Sequence, residues 1–298
     1  TATMIVNAGG PYVPDVGRLT GTTTRHRLVF SKGIHLVVRR ITDSGRILAF
    51  YDDHERLFYV LPMGDRSVIG TTDTPVEDPD VAVTEEDKEF LLEQINTRID
   101  LTLPLTADDV IADRCGVRSL VVEPGGSAED RDWTELSRKH TVEVNRGLGV
   151  VSILGGKLSD CLNVGEEVVD AAMSCGLNPM TPPIRWYGEP GRTARRRFTE
   201  RSAGLGMDSG VADALWRRQG MRAFEALDLA AEDRSLGEPM GGLLPLTEAE
   251  VRVMADHERI VEPEDFLRRR TMLAQVERDE DLAADPAVLR ALEILKAG

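Results

Sequence analysis

The chain has 298 residues, 41% hydrophobic and 29% charged, which suits an ordinary globular protein with room for two cores. Its formal net charge of -15 argues against non-specific binding to nucleic acid or anionic lipid, so a small anionic substrate would need a local cluster of basic residues. No apolar run approaches the ~20 residues of a membrane-spanning helix, and the opening TATMIVNAGG does not read as a signal peptide.

Met4, Ile5 and Val6 open as a strand that runs into a Gly9-Gly10-Pro11 turn, with nothing before it to pair with. No G-x-G-x-x-G follows a strand, so the chain is expected to come from the C-terminal side of something larger. From Arg27 two apolar runs join at Ser31-Lys32-Gly33, and two more flank Met63-Gly64-Asp65; all read as antiparallel strands. Thr84 caps a helix with Glu85, Glu86 and Asp87 in its first turn and Leu91, Ile95 and Ile99 on its buried face. A shorter helix follows Thr106, after which CGVRSLVVEP, HTVEV and GVVSIL resume the sheet.

Val150, Val151, Ile153 and Leu154 read as a buried strand. Gly155-Gly156-Lys157 then turns into a helix capped by Ser159 or Asp160, with Leu162, Val168, Val169, Ala172 and Met173 mostly along one side. Paired glycines let the backbone approach a ligand, the helix start supplies N–H donors, and Lys157 adds a mobile cation. That geometry suits an anionic or electron-rich cofactor group. A Walker A reading fails, because Val151 and Leu158 stand where that motif needs a glycine and a hydroxyl residue. Three cysteines, Cys115, Cys161 and Cys175, show no metal-ligand spacing and point to a reducing compartment; Cys161 and Cys175 read as helix-packing thiols.

NPMTPP, Asn178 to Pro183, reads as a linker that divides the chain into 1–183 and 184–298. Beyond it the texture is helical. Asp208 opens a helix with Leu215 and Trp216 inward, and Thr247 with Glu250 forms a capping box ahead of Val251 and Met254. Pro263 begins a helix carrying Phe266, Leu267 and Leu273, while Asp285-Pro286 begins the last, with Val288, Leu289, Leu292 and Leu295. The acid-rich run from Glu277 to Asp281 reads as solvated surface. The expected fold class is α+β: an antiparallel or mixed sheet domain with packed helices, then a small all-helical C-terminal domain.

Four segments in order, VNAGGPYV, KGIHLVV, GVRSL with LSRKHTVEV, and GGKLSDCLNVGEEV, resemble the C-terminal half of the FAD-dependent glycerol-3-phosphate dehydrogenases. The family's versions look like VNA-x-GPW, KG-x-HIV, GVRPL, a Ser/Thr-Arg-Asp strand start and GGKLTTYR. VLPMGDRSVIGTTDTPVEDP and FLRRRTMLAQVERD resemble further family stretches, so the likeness runs along nearly the whole chain. It implies that Arg118 grips the substrate phosphate, that Arg138 lines the same pocket, and that His35 handles the hydroxyl proton. It also implies that Lys157 stands between flavin and substrate, with Gly10, Pro11, Gly155, Gly156, Lys157, Leu158 and Ser159 against the flavin.

On that likeness the substrate is glycerol 3-phosphate, oxidised to dihydroxyacetone phosphate with FAD as cofactor and no metal, and electrons pass to a quinone or to oxygen. The expected location is cytoplasmic, with peripheral contact at the inner membrane face and a homodimer both left open. Guanidinium forks suit a phosphate dianion. Oxidation of the alcohol needs a hydride acceptor and a base for the hydroxyl proton, either His35 or Lys157. Asp160-Cys161-Leu162 depart from the family's Thr-Tyr-Arg, Ser119 from its proline and Tyr12 from its tryptophan. With the family's glycine-rich FAD-binding half expected to lie upstream, this chain alone is expected to bind FAD poorly and to have no turnover. Two rival readings stand beside this one: an amine or hydroxy-acid flavin oxidase of the same architecture, and a non-catalytic interaction module built on the helical domain.

Overall fold

The computed structural model describes residues 2–52, 56–125, 139–178 and 190–297. Two compact units are seen, Thr1–Pro183 and Ile184–Gly298. In the first, β1 (Ile5–Asn7) and α1 (Val13–Thr20) precede β2 (Arg27–Arg39), β3 (Leu48–Tyr51), β4 (Leu57–Met63), β5 (Arg66–Gly70) and β6 (Thr74–Val76). After α2 (Glu85–Arg98) come β7 (Val110–Val122), β8 (Thr141–Asn145), β9 (Val150–Leu154) and α3 (Cys161–Ser174). The larger sheet has the order β3-β4-β5-β2-β6, with β7 along the other side of β2, and every pairing in it is antiparallel.

β2 is one strand of 13 residues, not two runs broken at Ser31-Lys32-Gly33. Ile34, Leu36 and Val38 on one face pack against Leu91, Leu92 and Ile95 of α2. Lys32 shares that face, and a lone buried ammonium would break the strand's burial there. Asp87 of α2 removes the problem: Lys32 Nζ lies 2.5 Å from its carboxylate. The same aspartate closes the reciprocal capping box with Thr84 at the start of α2, so one side chain serves both. At the hairpin between β4 and β5, Met63 pairs with Arg66 and Gly64 takes the left-handed φ of +56° that this tight turn needs.

In the second sheet, β1-β9-β8, the opening strand takes its partner from later in the chain. β1 lies parallel to β9, with Ile5 opposite Val150 and Asn7 opposite Ser152. A parallel partner must come through a long crossover, so no local pattern announces it. α3 is also corrected: among its residues only Ala172 is buried, and Leu162, Val169 and Met173 are about half exposed. Cys161 is exposed as well, so it does not pack as a core thiol.

The second unit is helical: α4 (Ala194–Gly204), α5 (Ser209–Gln219), α6 (Ala223–Glu232), α7 (Glu248–His257), α8 (Leu273–Val276), α9 (Asp279–Ala284) and α10 (Pro286–Ala297). A short hairpin of β10 (Pro239–Gly241) and β11 (Leu244–Thr247) is added, which periodicity does not announce. One core gathers Phe198, Leu215 and Leu227, and another gathers Leu244, Val251, Phe266 and Val288. The helix expected from Pro263 through Leu273 is instead a π-helical segment, Asp265–Arg270, followed by α8. Only half of the expected box at Thr247 forms. The Thr247 hydroxyl accepts from Glu250 N at 3.1 Å, while the fully buried Glu250 carboxylate accepts from Arg218 at 2.7 and 2.8 Å.

Candidate functional site

The β2–β7 register sets the site. His35 lies opposite Arg114, Gly33 opposite Gly116, and Ser31 opposite Arg118. Since α2 covers the face of Ile34, Leu36 and Val38, strand alternation puts these six residues on the other face. Glycine at position 33 leaves room for a guanidinium: a Cβ there would stand 2.5 Å from Arg118 Nη2. Nothing lies within 4 Å of the corresponding position at Gly116, which leaves an open floor beside it.

Arg118 donates to Thr71 Oγ1 at 2.9 Å, to the Thr72 carbonyl at 3.2 Å and to Asp73 Oδ1 at 3.3 Å. Asp73 also accepts from the Ser31 hydroxyl. The guanidinium is thus oriented before any ligand arrives, with about a third of the side chain exposed, 32%. His35 is half-buried against Gly70, where a Cβ would stand 2.8 Å from the imidazole Cδ2. Burial pushes the His35 pKa down, and the positive charges of Arg114 and then Arg118 push it further the same way. Its neutral form is therefore favoured. Arg114 itself reaches Met63, with Nη2 3.4 Å from Sδ.

Two glycine turns meet the C-terminal half of β7. Gly155, at φ +62°, is pressed against it: a Cβ would stand 2.6 Å from Val121 Cγ2 and 3.4 Å from the Ser119 carbonyl, one residue from Arg118. The Gly10-Pro11 turn is held by buried Asn7, whose amide donates to the Val13 carbonyl at 2.9 Å and whose oxygen accepts from Gly9 N at 3.2 Å. Val13 in turn packs on Val121 and Leu154. Tyr12 adds a hydroxyl contact to Asp80.

Of the expected site residues, His35 and Arg118 share one face, while Gly10, Pro11, Gly155 and Gly156 stand in turns held at the Ser119–Val121 end of β7 or beside it. Lys157, Leu158 and Ser159 follow in the same turn and are exposed. Neither Ser159 nor Asp160 caps α3 through its side chain. Asp160 occupies the N-cap position, yet its carboxylate accepts from Asn163 at 2.6 Å and lies 3.0 Å from His140. Arg138 lies outside the described residues. Arg114, Asn7 and the Thr71–Asp73 cradle were not among the expected site residues. Arg114 carried a usable signal, because residues four apart on a strand share a face. A cleft of about 440 Å³ bounded by Thr24, Arg25, Glu143, Asn145 and Arg146 contains none of the expected residues.

A sheet domain that sets glycine turns beside a histidine–arginine face, followed by a helical domain, is the layout of a flavin-dependent oxidoreductase. The chain belongs to the FAD dependent oxidoreductase family, whose model matches residues 1–158; residues 184–294 match the C-terminal domain of alpha-glycerophosphate oxidase. The expected absence of the FAD-binding region is thereby corrected, since a part of that domain is present.

The chain is 29% identical to the mitochondrial glycerol-3-phosphate dehydrogenase SDP6 of Arabidopsis thaliana, over 99% of this chain and 48% of that protein. It is 25% identical to the aerobic glycerol-3-phosphate dehydrogenase of Staphylococcus haemolyticus, over 91% of this chain and 50% of that protein. The solved glycerol-3-phosphate dehydrogenase of Bacillus halodurans, complexed with FAD, superposes with a TM-score of 0.74 at 26% identity, covering 100% of this chain and 59% of that one. The chain therefore spans about half the length of the curated relatives it matches. Among the described residues no helix is long and apolar enough to cross a membrane, and no group of His, Cys, Asp or Glu could hold a metal ion.

Proposed function

We propose that this chain is the substrate-side and C-terminal portion of an FAD-dependent glycerol-3-phosphate dehydrogenase, which oxidises glycerol 3-phosphate to dihydroxyacetone phosphate. The observation that carries it is the shared face of His35 and Arg118 across Gly33. A preset guanidinium suits a phosphate oxygen, and a neutral imidazole two positions along the strand suits a hydroxyl proton. Arg138 is the second phosphate ligand on this reading. Thr1–Pro183 supplies the substrate face and Ile184–Gly298 the helical domain.

The residues present fit a flavin. The Cβ positions of Gly10 and Gly116 face open space, so flat or bulky groups can approach the backbone there. In the Leu158–Asp160 turn that opens α3, Asp160 N donates to the Lys157 carbonyl at 2.9 Å, and the N–H groups ahead of it precede the helical ladder. Gly10, Pro11 and Gly155–Ser159 would hold the group, which when bound supplies the hydride acceptor. His35 takes the hydroxyl proton at its neutral ring nitrogen while Arg118 fixes the phosphate. Lys157, exposed at the turn, serves charge balance near the alkoxide more readily than proton abstraction. The acceptor of the electrons is a quinone or oxygen, a reading supported by the aerobic relative.

Anaerobic addition of glycerol 3-phosphate to the flavin-loaded enzyme of which this chain is the proposed portion tests the reading. Flavin bleaching with one dihydroxyacetone phosphate formed per flavin is expected. Bleaching by amino acids or hydroxy acids, with none by glycerol 3-phosphate, would replace it with the other oxidase reading.

A further inference from the structure

His140 stands immediately before β8, with its side chain only 11% exposed. Three parts of the chain meet on it. The backbone of Gly156, at φ +94°, rests against it so closely that a Cβ would stand 2.9 Å from His140 Cβ. Imidazole Nδ1 lies 3.0 Å from Asp160 Oδ2, a charge contact without hydrogen-bond geometry, and Nε2 lies 3.0 Å from Glu167 Oε2. Asp160 and Glu167 are two helical turns apart on one side of α3, with Asn163 between them bonded to Asp160.

The connection explains what this contact does. β8 pairs with β9 from Thr141 opposite Leu154, so His140 stands beside the point where the chain leaves the sheet. The Gly155–Lys157 turn spans from that point to α3. On its other flank Gly155 is stopped by Val121 and the Ser119 carbonyl. Two glycines would otherwise leave this turn loose. The imidazole is a strut across its two ends.

We propose that His140 is a positioning residue that fixes the direction in which the turn presents Lys157 and its N–H groups. Lys157 is exposed, so the backbone beneath it is what the fold can control. The inference rests on the reading that this turn serves the flavin-linked oxidation.

Two variants of the full chain test it, and a third serves as the rescue. His140→Phe keeps the Cβ that Gly156 rests against and removes both nitrogen contacts. Glu167→Gln changes a side chain that is 58% exposed and removes the negative charge facing Nε2 without touching the core. Amide exchange over 155–161 and the acetylation rate of Lys157 should both rise roughly tenfold in His140→Phe and less in Glu167→Gln. Exchange in the β2–β7 ribbon should not change. In the flavin-loaded protein, kcat with glycerol 3-phosphate should fall roughly tenfold with KM held within about twofold. His140→Gln, whose amide nitrogen reaches toward the place of Nε2, should restore part of the protection and part of kcat.

Unchanged exchange and acetylation in both variants would overturn the strut, as would an equal rise throughout the β2–β7 ribbon. If His140→Phe does not fold, Glu167→Gln decides by the same measurements. A wild-type protein inert toward glycerol 3-phosphate sinks the oxidation reading alone, because exchange at the turn still judges the strut.

Discussion

The guanidinium of Arg118 lies over Gly33, in the space that any larger residue's Cβ would fill. The contact joins neighbouring strands of one ribbon, and it aims the cation along the same face as His35. Gly33→Ala should therefore displace Arg118 more than it disturbs the strand, since overpacking of this kind costs about 1–3 kcal/mol. Steady-state kinetics of the flavin-loaded variant should show a KM for glycerol 3-phosphate raised at least tenfold. A wild-type KM would mean that Arg118 does not bind substrate from this seat.

Arg118→Ala and Asp73→Asn should move KM in opposite directions. Removing the guanidinium deletes a charge-assisted contact of about 1.5–3 kcal/mol, roughly a ten- to hundredfold rise in KM. Asp73 lies 3.3 Å from Arg118 Nη1 and partly cancels its charge. An asparagine keeps the accepting oxygen and removes the negative charge, so KM should fall at low salt and the gain should shrink as salt is added. Titration of KM against ionic strength checks both signs.

The acid limb of kcat/KM reports His35 if that residue is the base. Its pKa is held down by burial first, then by Arg114 and Arg118. Arg114→Met removes a positive charge that disfavours the imidazolium, so the pKa should rise and the acid limb should move to higher pH. His35→Gln should abolish that limb. A pH profile of Arg114→Met that overlays the wild type would remove His35 from the role.

Glu143 clamps the start of β2. It accepts from Arg25 N at 2.9 Å and His26 N at 3.0 Å, and it lies 2.7 Å from His26 Nδ1. The hydrogen bond to Glu143 raises the His26 pKa above 6.5 against an opposing desolvation, with Glu123 adding to the rise. For Glu143, burial works upward, yet the bonds from Arg25 and His26 bring the net pKa below 4.5. The histidine contribution is full below 6.5 and is lost as pH rises through the folded value. The glutamate contribution is full above 4.5 and is lost as pH falls through its folded value. Glu143→Gln should thus cost most between those limits, about 1–3 kcal/mol. Denaturant unfolding of wild type and variant across pH should show the gap narrowing toward both ends.

Much of the local architecture was legible in the chain. Gly64 marks a turn between two strands, Thr84 caps α2, and the glycine pair at 155–156 breaks the passage from β9 to α3, because each signal acts within a few residues. The candidate site was legible as motifs, and its His35 and Arg118 share a face. Its supports were not. Asn7 as the brace of the Gly10 turn and Thr71–Asp73 as the cradle of Arg118 depend on which distant segments meet.

The short-range pattern was enough to say where strands and helices begin and which turns need glycine, since backbone sterics and capping are decided by near neighbours. Folding decided the rest. Lys32 stays inside one continuous strand because Asp87 arrives from α2, and β1 finds its parallel partner in β9 only after a long crossover. Pair register and charge neutralisation depend on residues far apart along the chain, and a one-residue slip of β7 would turn Arg118 to the opposite face.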